Sequence, residues 1–405
     1  MIIATAALAL TLTACKPQVP DTTFVVSSDP ELTARVSQLL PELADKAGME
    51  LIHPVRVERR TREELESYLI FKLDQDMSRE KSNSLTRVYS LVGLVEEDLD
   101  LRELLVSVYQ EQVAGFYDPD STALFVMDDM PVETLESVLI HELVHAVQDQ
   151  TANLDSLTAK ERGNDRQAAA QSAIEGHATL IMLEYMFEQD QGQPVDLSQL
   201  PDFSQALGPA LEAMRSQYPA LASAPAIVQE ALLFPYLRGA SFVSALWTEK
   251  EGRPVPFGPD LPQSTEQILR PELAFGPEPD LPTELQLDPV PGFDSVYGNT
   301  FGQGELEVLL EEHLGPEGRA LATGWDGDRY SLLDLGDGSF GLVWVSVWDS
   351  EEERDRFVQG FQPILGSLAS AASLEGMEVL GRPGALLRIG VSQELSVNVR
   401  EGIAR

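Results

Sequence analysis

The sequence predicts an α+β protein that is mainly helical, with a smaller C-terminal α/β subdomain. Long segments between residues 31 and 250 carry apolar residues at helical spacing. Short apolar segments separated by turns rich in Gly and Asp follow in residues 301–405. The composition, 43% hydrophobic and 23% charged residues, is that of a folded chain, and 405 residues allow one large or two smaller domains.

The first fifteen residues, MIIATAALALTLTAC, form an apolar segment that ends in the only cysteine of the chain. The segment is too short to span a bilayer but suits the core of a signal peptide. Its last four residues, Leu12 to Cys15, resemble a bacterial lipobox, which implies a lipid-modified Cys15. We therefore expect a signal peptide over residues 1–15, a tether over residues 16–30, and a membrane anchor at the bacterial cell envelope. A free thiol in a disordered tail is the alternative for Cys15.

Residues 31–116 are expected to be mostly helical. Thr61 followed by Glu64 predicts a capping box at the start of one helix, and LRELLVSVYQEQVAGFY predicts another. We expect no chemistry in these segments and assign Glu111 and Gln112 to a polar helix face. A turn at Tyr117–Asp120 then precedes a short apolar strand over Ala123–Met127.

Residues 137–150, SVLIHELVHAVQDQ, carry the chemistry of the chain. His141 and His145 are four residues apart, so both imidazoles leave one face of a helix and can hold a single metal ion. Zinc suits two neutral imidazoles, a third protein ligand and an open position for water. Glu142 is then placed to act as the general base. The flanking residues are apolar, so burying this polar group without a metal or partners would be costly.

The third ligand is expected on a second helix, which we predict over residues 164–188. Glu175 lies in the middle of this segment, and its neighbours Gly176 and Ala178 are small enough to let two helices approach closely around an ion. His177 is the alternative ligand. Two positions along a helix correspond to a rotation of about 200°, so Glu175 and His177 cannot both face one ion on a regular helix.

The motif HELVH, the later EGHA and, more loosely, YLRGASFVSAL at 236–246 resemble the gluzincin group of zinc metallopeptidases, of the peptidase MA-like type. HELVHAVQDQ with the later EG-x-A also resembles uncharacterised bacterial lipoproteins of predicted peptidase fold. The resemblance spans about residues 85–275. It implies a zincin-like catalytic core, one Zn²⁺ per chain, and the ligands His141, His145 and Glu175. His177 then becomes either a hydrogen-bonding group behind the ligands or a surface histidine.

Two further expectations follow from the resemblance. In peptidases of this type an edge strand precedes the HExxH helix and pairs with an extended substrate, so Ala123–Met127 would bind peptide by β-augmentation. An ordinary core hairpin is the alternative. Metallopeptidases also supply a Tyr, His or Arg that stabilises the oxyanion beside the metal, and Tyr236 is our choice over Arg238. The alternative for Tyr236 is packing at a helix start.

The last third of the chain has two parts. Residues 251–300 are rich in Pro, and their apolar anchors predict an ordered arm, in which the role of Arg270 stays open. Residues 301–405 predict a small antiparallel sheet with helices on one face, one of them capped by Ser350. We expect His313 to be exposed. Three tryptophans are expected in the core of this subdomain: Trp325, Trp344 and Trp348.

The net charge of −38 makes the surface repel nucleic acid and anionic lipid, and we therefore exclude nucleic acid as a partner. The carboxylates either solvate the surface or attract basic substrates. Taken in order, the domains are the signal peptide, the tether, a zincin-like metallopeptidase domain over 31–250, the arm over 251–300 and the subdomain over 301–405. We expect a zinc-dependent peptidase acting on a peptide or protein substrate. The alternatives are a non-catalytic, zinc-stabilised envelope binding protein and a chaperone that keeps the peptidase fold.

Overall fold

The computed structural model describes residues 24–199, 218–368 and 371–402. It shows an α+β protein, with about 54% of the residues in helices and 18% in strands. The predicted signal peptide, most of the predicted tether, and Cys15 lie outside the described residues. In the part that is described, no helix is both long enough and apolar enough to cross a membrane.

Most of the helices precede residue 276, and most of the strands follow it. The helices are α1 (Pro30–Lys46), α2 (Arg62–Asp76), α3 (Arg79–Leu91), α4 (Leu101–Gln112), α5 (Val132–Ala152), α6 (Leu154–Leu157), α7 (Asn164–Gln191), α8 (Pro219–Ser223), α9 (Ala226–Glu249), α10 (Thr265–Leu269), α11 (Glu272–Phe275), α12 (Gly302–Leu314) and α13 (Glu351–Leu365). The strands are β1 (Val25–Val26), β2 (Val55–Arg60), β3 (Gly115–Asp118), β4 (Ala123–Met127), β5 (Leu285–Leu287), β6 (Asp294–Asn299), β7 (Trp325–Asp334), β8 (Phe340–Trp348), β9 (Ala372–Val379), β10 (Arg382–Ile389) and β11 (Val399–Glu401).

The N-terminal sheet has the strand order β1-β2-β4-β3. β4 pairs in parallel with β2 and antiparallel with β3, and all five of its residues are buried. The predicted bounds Ala123–Met127 are confirmed, but the prediction that this strand forms the edge and binds peptide is wrong. β2, which was missed because its charged residues VRVERR read as part of a helical region, covers the side of β4 that was expected to be free. The free edge next to α5 belongs to β3.

One face of this sheet packs against α1, α5, α7 and α9. Their shared core contains Val57 and Val126 from the sheet, Leu143 and Val144 from α5, and Phe242 from α9. Burial of these apolar side chains is the main force that holds α5 in place. It holds the HELVH helix against the sheet, with His141 and His145 directed toward Glu175 on α7.

Side chains cap the starts of α2, α4 and α13, and two of these caps were predicted from the sequence. The Thr61 side chain accepts a hydrogen bond from Glu64 N, and Glu64 Oε2 accepts one from Thr61 N, so the capping box is confirmed. Asp100 caps α4 and Ser350 caps α13, each through its side-chain oxygen. These contacts satisfy backbone N–H groups that a helix start leaves unpaired.

The C-terminal sheet is antiparallel, with the order β6-β7-β8-β10-β9. One face packs against α12 and α13 around the predicted tryptophans, which are 1% exposed and therefore confirmed as core. The sheet also takes β6 from within the segment predicted as the Pro-rich arm, and β5 of that arm pairs with β11. The prediction that His313 is exposed is wrong, because its Nε2 lies 2.8 Å from Val92 O and the ring packs on Gly93.

The first turn of α7 is held by the C-terminal part of the chain. Asn164 N donates to Asn299 Oδ1 at 3.0 Å, and Thr265 N donates to Asp165 Oδ1 at 3.0 Å. Glu305 accepts hydrogen bonds from Tyr89 and Asn164. The helix that carries Glu175 is therefore anchored at its start by groups from the arm and from the beginning of α12.

Candidate metal centre

Three of the predicted ligands meet between α5 and α7. Glu175 Oε2 lies 3.1 Å from His141 Nε2 and 3.2 Å from His145 Nε2, and the two Nε2 atoms are 3.1 Å apart. Tetrahedral zinc with bonds of about 2.0 Å separates its ligand atoms by about 3.3 Å. The three atoms thus form a nearly regular triangle of the size that one face of such a coordination shell requires.

The side chain of Gln148 determines the tautomer of His145. Gln148 Nε2 donates to Ile174 O at 3.1 Å, so its Oε1 must be the atom that faces His145 Nδ1 at 2.8 Å. His145 Nδ1 therefore carries the proton, and a neutral ring presents the lone pair of Nε2 to the triangle. The position of the ligand nitrogen is fixed from behind by a fully buried amide.

His177 lies at the far end of this hydrogen-bonded chain. Its Nδ1 accepts from Gln148 Nε2 at 3.0 Å, and the residue is 1% exposed. Burial and the positive charge of Arg253 lower the pKa of His177 to about 3, so the ring stays neutral. Of the two roles considered for His177, the structure places it as a hydrogen-bonding group behind the ligands, directed away from the triangle.

The electrostatics of the triangle favour a positive charge within it. Burial alone would lower the pKa of His145, but the Glu175 carboxylate raises it to about 9. Burial would raise the pKa of Glu175, but the two imidazoles lower it well below its usual range. Gln171 Nε2 donates to Glu175 Oε1 at 2.7 Å and so leaves Oε2 for the triangle. Two imidazole nitrogens and one carboxylate oxygen form a donor set that fits zinc.

Glu142 lies on the same helix, but its carboxylate is directed toward β3. Tyr117 N donates to Glu142 Oε2 at 2.8 Å, and the Tyr117 hydroxyl donates to Asp149 Oδ2 at 2.9 Å. The free edge of β3 therefore holds one carboxylate oxygen of Glu142, and Oε1 has no partner among the described residues. This arrangement leaves one oxygen available for proton transfer beside the triangle.

Tyr236 lies on the other side of His141. The two ring centroids are 5.9 Å apart, and Tyr236 is 38% exposed. The negative charge of Glu175, with partial burial and Glu142, raises the pKa of Tyr236 well above its usual value. The hydroxyl therefore keeps its proton and can donate a hydrogen bond. Arg270 does not reach this site, because it pairs with Glu266 on α10.

A cleft of about 460 Å³ opens over His141, Glu142 and Tyr236. Residues from α4, β3, α5, α7 and α9 surround it, together with Tyr218 just before α8, and they include Gln112 at the end of α4. Gln112, which was expected on a polar helix face, lines this cleft, because α4 ends beside it. The ligand triangle is thus reached from the outside on the side of His141.

Four residues of the site were missed in the sequence: Gln148, Gln171, Gln112 and Thr179. Two of them carried a usable signal. Gln148 follows His145 by three positions and Gln171 precedes Glu175 by four, and both spacings place side chains on one helix face. Gln112 and Thr179 enter the cleft through the tertiary arrangement of α4 and α7, which no local pattern indicates.

Comparison with known proteins adds information on one part of the chain. A family model described as a domain of unknown function, DUF8575, matches residues 290–390. The matched segment contains β6 to β10 and α12 and α13, and ends before the last strand; the ligand triangle lies outside it. No curated protein matches the chain, and no solved structure matches it either.

Proposed function

We propose that this protein is a zinc-dependent peptidase with a zincin-like core, exported and lipid-anchored to the bacterial cell envelope through Cys15. The observation that carries the proposal is the triangle of His141 Nε2, His145 Nε2 and Glu175 Oε2, which is reached through an open cleft that His141 lines. The resemblance of HELVH and EGHA to the gluzincin peptidases supports the same conclusion.

His141, His145 and Glu175 would hold one Zn²⁺ per chain. When bound, zinc would supply a Lewis acid that polarises the peptide carbonyl and makes water more acidic. Glu142 Oε1 takes a proton from the attacking water and then delivers it to the nitrogen of the leaving amine. The hydrogen bond from Tyr117 N keeps the Glu142 carboxylate in position for both steps. Tyr236 donates to the oxyanion that develops on the former carbonyl oxygen.

The main alternative is a non-catalytic protein in which zinc only joins two helices, with a closed set of four protein ligands. His177 was the candidate for the fourth ligand, but its Nδ1 is bonded to Gln148 behind His145. Among the described residues, the groups that converge on the triangle are the two histidines and Glu175. This arrangement supports an open position, which catalysis by zinc requires and a structural site does not.

The proposal is tested by metal content and turnover measured on the same samples. We expect one zinc per chain by elemental analysis of the dialysed protein, loss of that zinc in Glu175→Ala, and retention in Asp190→Ala, an exposed control on the same helix. Glu142→Gln should keep zinc and lose at least about 100-fold in the rate of peptide cleavage, because the proton acceptor is gone. A wild type that retains no zinc, or a Glu142→Gln variant that cleaves as fast as the wild type, would refute the proposal.

A further inference from the structure

The cleft above the ligand triangle differs chemically from the rest of the molecule. The chain carries a net charge of −38, yet Glu142 is the only acidic residue that lines the cleft, and no Lys or Arg lines it in the described part of the chain. Most of the wall is apolar: Val113, Ala114, Val138, Met182, Leu183, Leu232 and Leu233, together with Tyr109 and Tyr218. Its volume of about 460 Å³ falls within the range of about 300–1,000 Å³ that is typical of small-ligand sites.

Two polar atoms in this apolar wall lack partners within the described residues. They are the side-chain amide nitrogen of Gln112 and the hydroxyl oxygen of Thr179, which is 7% exposed. A buried polar group without a hydrogen bond costs about 1–3 kcal/mol, so such groups indicate a missing partner. Neither atom reaches the surface of the cleft, so the surface that a ligand meets there is mainly apolar.

The apolar wall of the cleft lies next to one of the ligands. Val138 precedes His141 by one turn on α5, and Met182 and Leu183 lie about two turns after Glu175 on α7. The apolar wall therefore begins beside His141, the ligand that lines the cleft. A chain bound with its carbonyl at the triangle would place a neighbouring side chain against this wall.

We propose that this cleft is the subsite for an uncharged, apolar side chain of a peptide substrate next to the cleaved bond. The inference rests on the proposed peptidase function and names its substrate class. The acidic surface of the protein then plays no part in selecting this side chain, because a basic side chain would find no acidic partner along the apolar wall of the cleft.

Binding of zinc-directed probes tests this subsite without requiring turnover. The probes are N-acetylated amino-acid hydroxamates with a leucine, phenylalanine, glutamate or lysine side chain, titrated into the zinc-loaded full chain by calorimetry. We expect the leucine and phenylalanine probes to bind at least about tenfold more tightly than the charged ones, since burying an unpaired charge in an apolar wall is unfavourable. Equal affinity for all four probes would overturn the inference.

Variants locate the effect in the cleft. Met182→Lys should abolish the preference for leucine over glutamate, whereas Met186→Lys, an exposed position one turn further along α7, should leave it unchanged. An unaltered preference in Met182→Lys would contradict the assignment.

The outcomes distinguish the subsite from the function on which it rests. If acetohydroxamate itself fails to bind the zinc-loaded protein, the metal has no open position, and the proposed peptidase function fails together with the subsite. If acetohydroxamate binds but the side chains are not discriminated, the subsite alone fails. Tighter binding of decanoyl hydroxamate than of the leucine probe would identify an acyl-chain site and overturn the peptide assignment.

Discussion

At the scale of single residues, Gln148 is the side chain on which the orientation of His145 depends. It is fully buried and links His145, Ile174 and His177 through one amide group. Gln148→Leu removes the acceptor for His145 Nδ1, so we expect zinc affinity to fall by about 10–100-fold, measured by competition with a chromogenic chelator. Gln189→Leu, at an exposed position of α7, is the control. Unchanged affinity in Gln148→Leu would show that packing alone orients His145.

Some features of the site could be predicted from the sequence, and others could not. The i, i+4 spacing of His141 and His145 needs only a helix to bring the two rings together, so it could be predicted locally. Glu175 needed the resemblance to a family, because its approach to α5 is a tertiary contact. The spacing of Gln148 from His145 was visible, but nothing in the sequence indicated that its amide would be buried between two helices.

At the scale of elements, α7 and α9 approach so closely that Gly176 and Gly239 have no room for a side chain. A Cβ on Gly176 would lie 2.0 Å from the carbonyl carbon of Gly239, and one on Gly239 would lie 2.0 Å from Ser172 O. The lack of a side chain at Gly176 therefore allows α9 to approach α7. The sequence predicted instead that it allows the approach of α5, the helix that carries the two histidines. α9 in turn carries Tyr236, so this close approach brings Tyr236 toward the ligands.

Gly239→Ala tests this contact. Alanine is the better helix former by about 1 kcal/mol, but an extra methyl group in a filled interface costs about 1–3 kcal/mol or more, and contact with backbone atoms places the cost at the upper end. We expect the free energy of unfolding in urea to fall by about 1–2 kcal/mol. Gly366→Ala, where the nearest atom lies 3.9 Å from the added Cβ, should be near neutral. Equal stability of the two variants would argue against the tight contact.

The order of the strands in the N-terminal sheet could not be predicted from the sequence. The bounds of β4 follow from a local apolar run between turns, so they could be predicted. Its neighbours depend on β2, which lies more than sixty residues earlier in the chain and whose arginines and glutamate resemble a solvated helix. The strand that covers β4 lies far away in the chain, and the residues of β4 do not identify it.

At the scale of the whole molecule, three buried carboxyl groups lie where the C-terminal part of the chain meets α7. Burial raises the pKa of Glu305 to about 8, of Asp165 to about 7 and of Asp328 to about 6. In each case the folded state binds the proton more tightly than the unfolded state, whose carboxyl groups have a pKa of about 4. Stability from these groups is therefore present at low pH and is lost as pH rises from about 4 toward about 8.

Glu305→Gln tests this pH dependence. The amide keeps the shape and an acceptor for the Tyr89 hydroxyl but cannot ionise. We expect the free energy of unfolding of the wild type to fall more steeply between pH 5 and pH 8 than that of the variant, by up to about 1.4 kcal/mol per pH unit. Glu312→Gln, exposed on the same helix α12, should keep the wild-type slope. Parallel slopes for the wild type and Glu305→Gln would show that Glu305 is ionised in the folded state throughout.

The anchoring of α7 gives the C-terminal sheet an influence on the distant ligands. Asn164, at the start of the helix, is tied to Asn299 and Glu305, and Glu175 follows about three turns later on the same rigid rod. A small tilt at the anchored end becomes a displacement of the Glu175 carboxylate that a zinc ion, with its short bonds, will resist. Zinc binding should therefore stabilise α7 against this tilt. Removal of zinc by a chelator should make the C-terminal sheet easier to unfold. Destabilising that sheet should in turn weaken the binding of zinc.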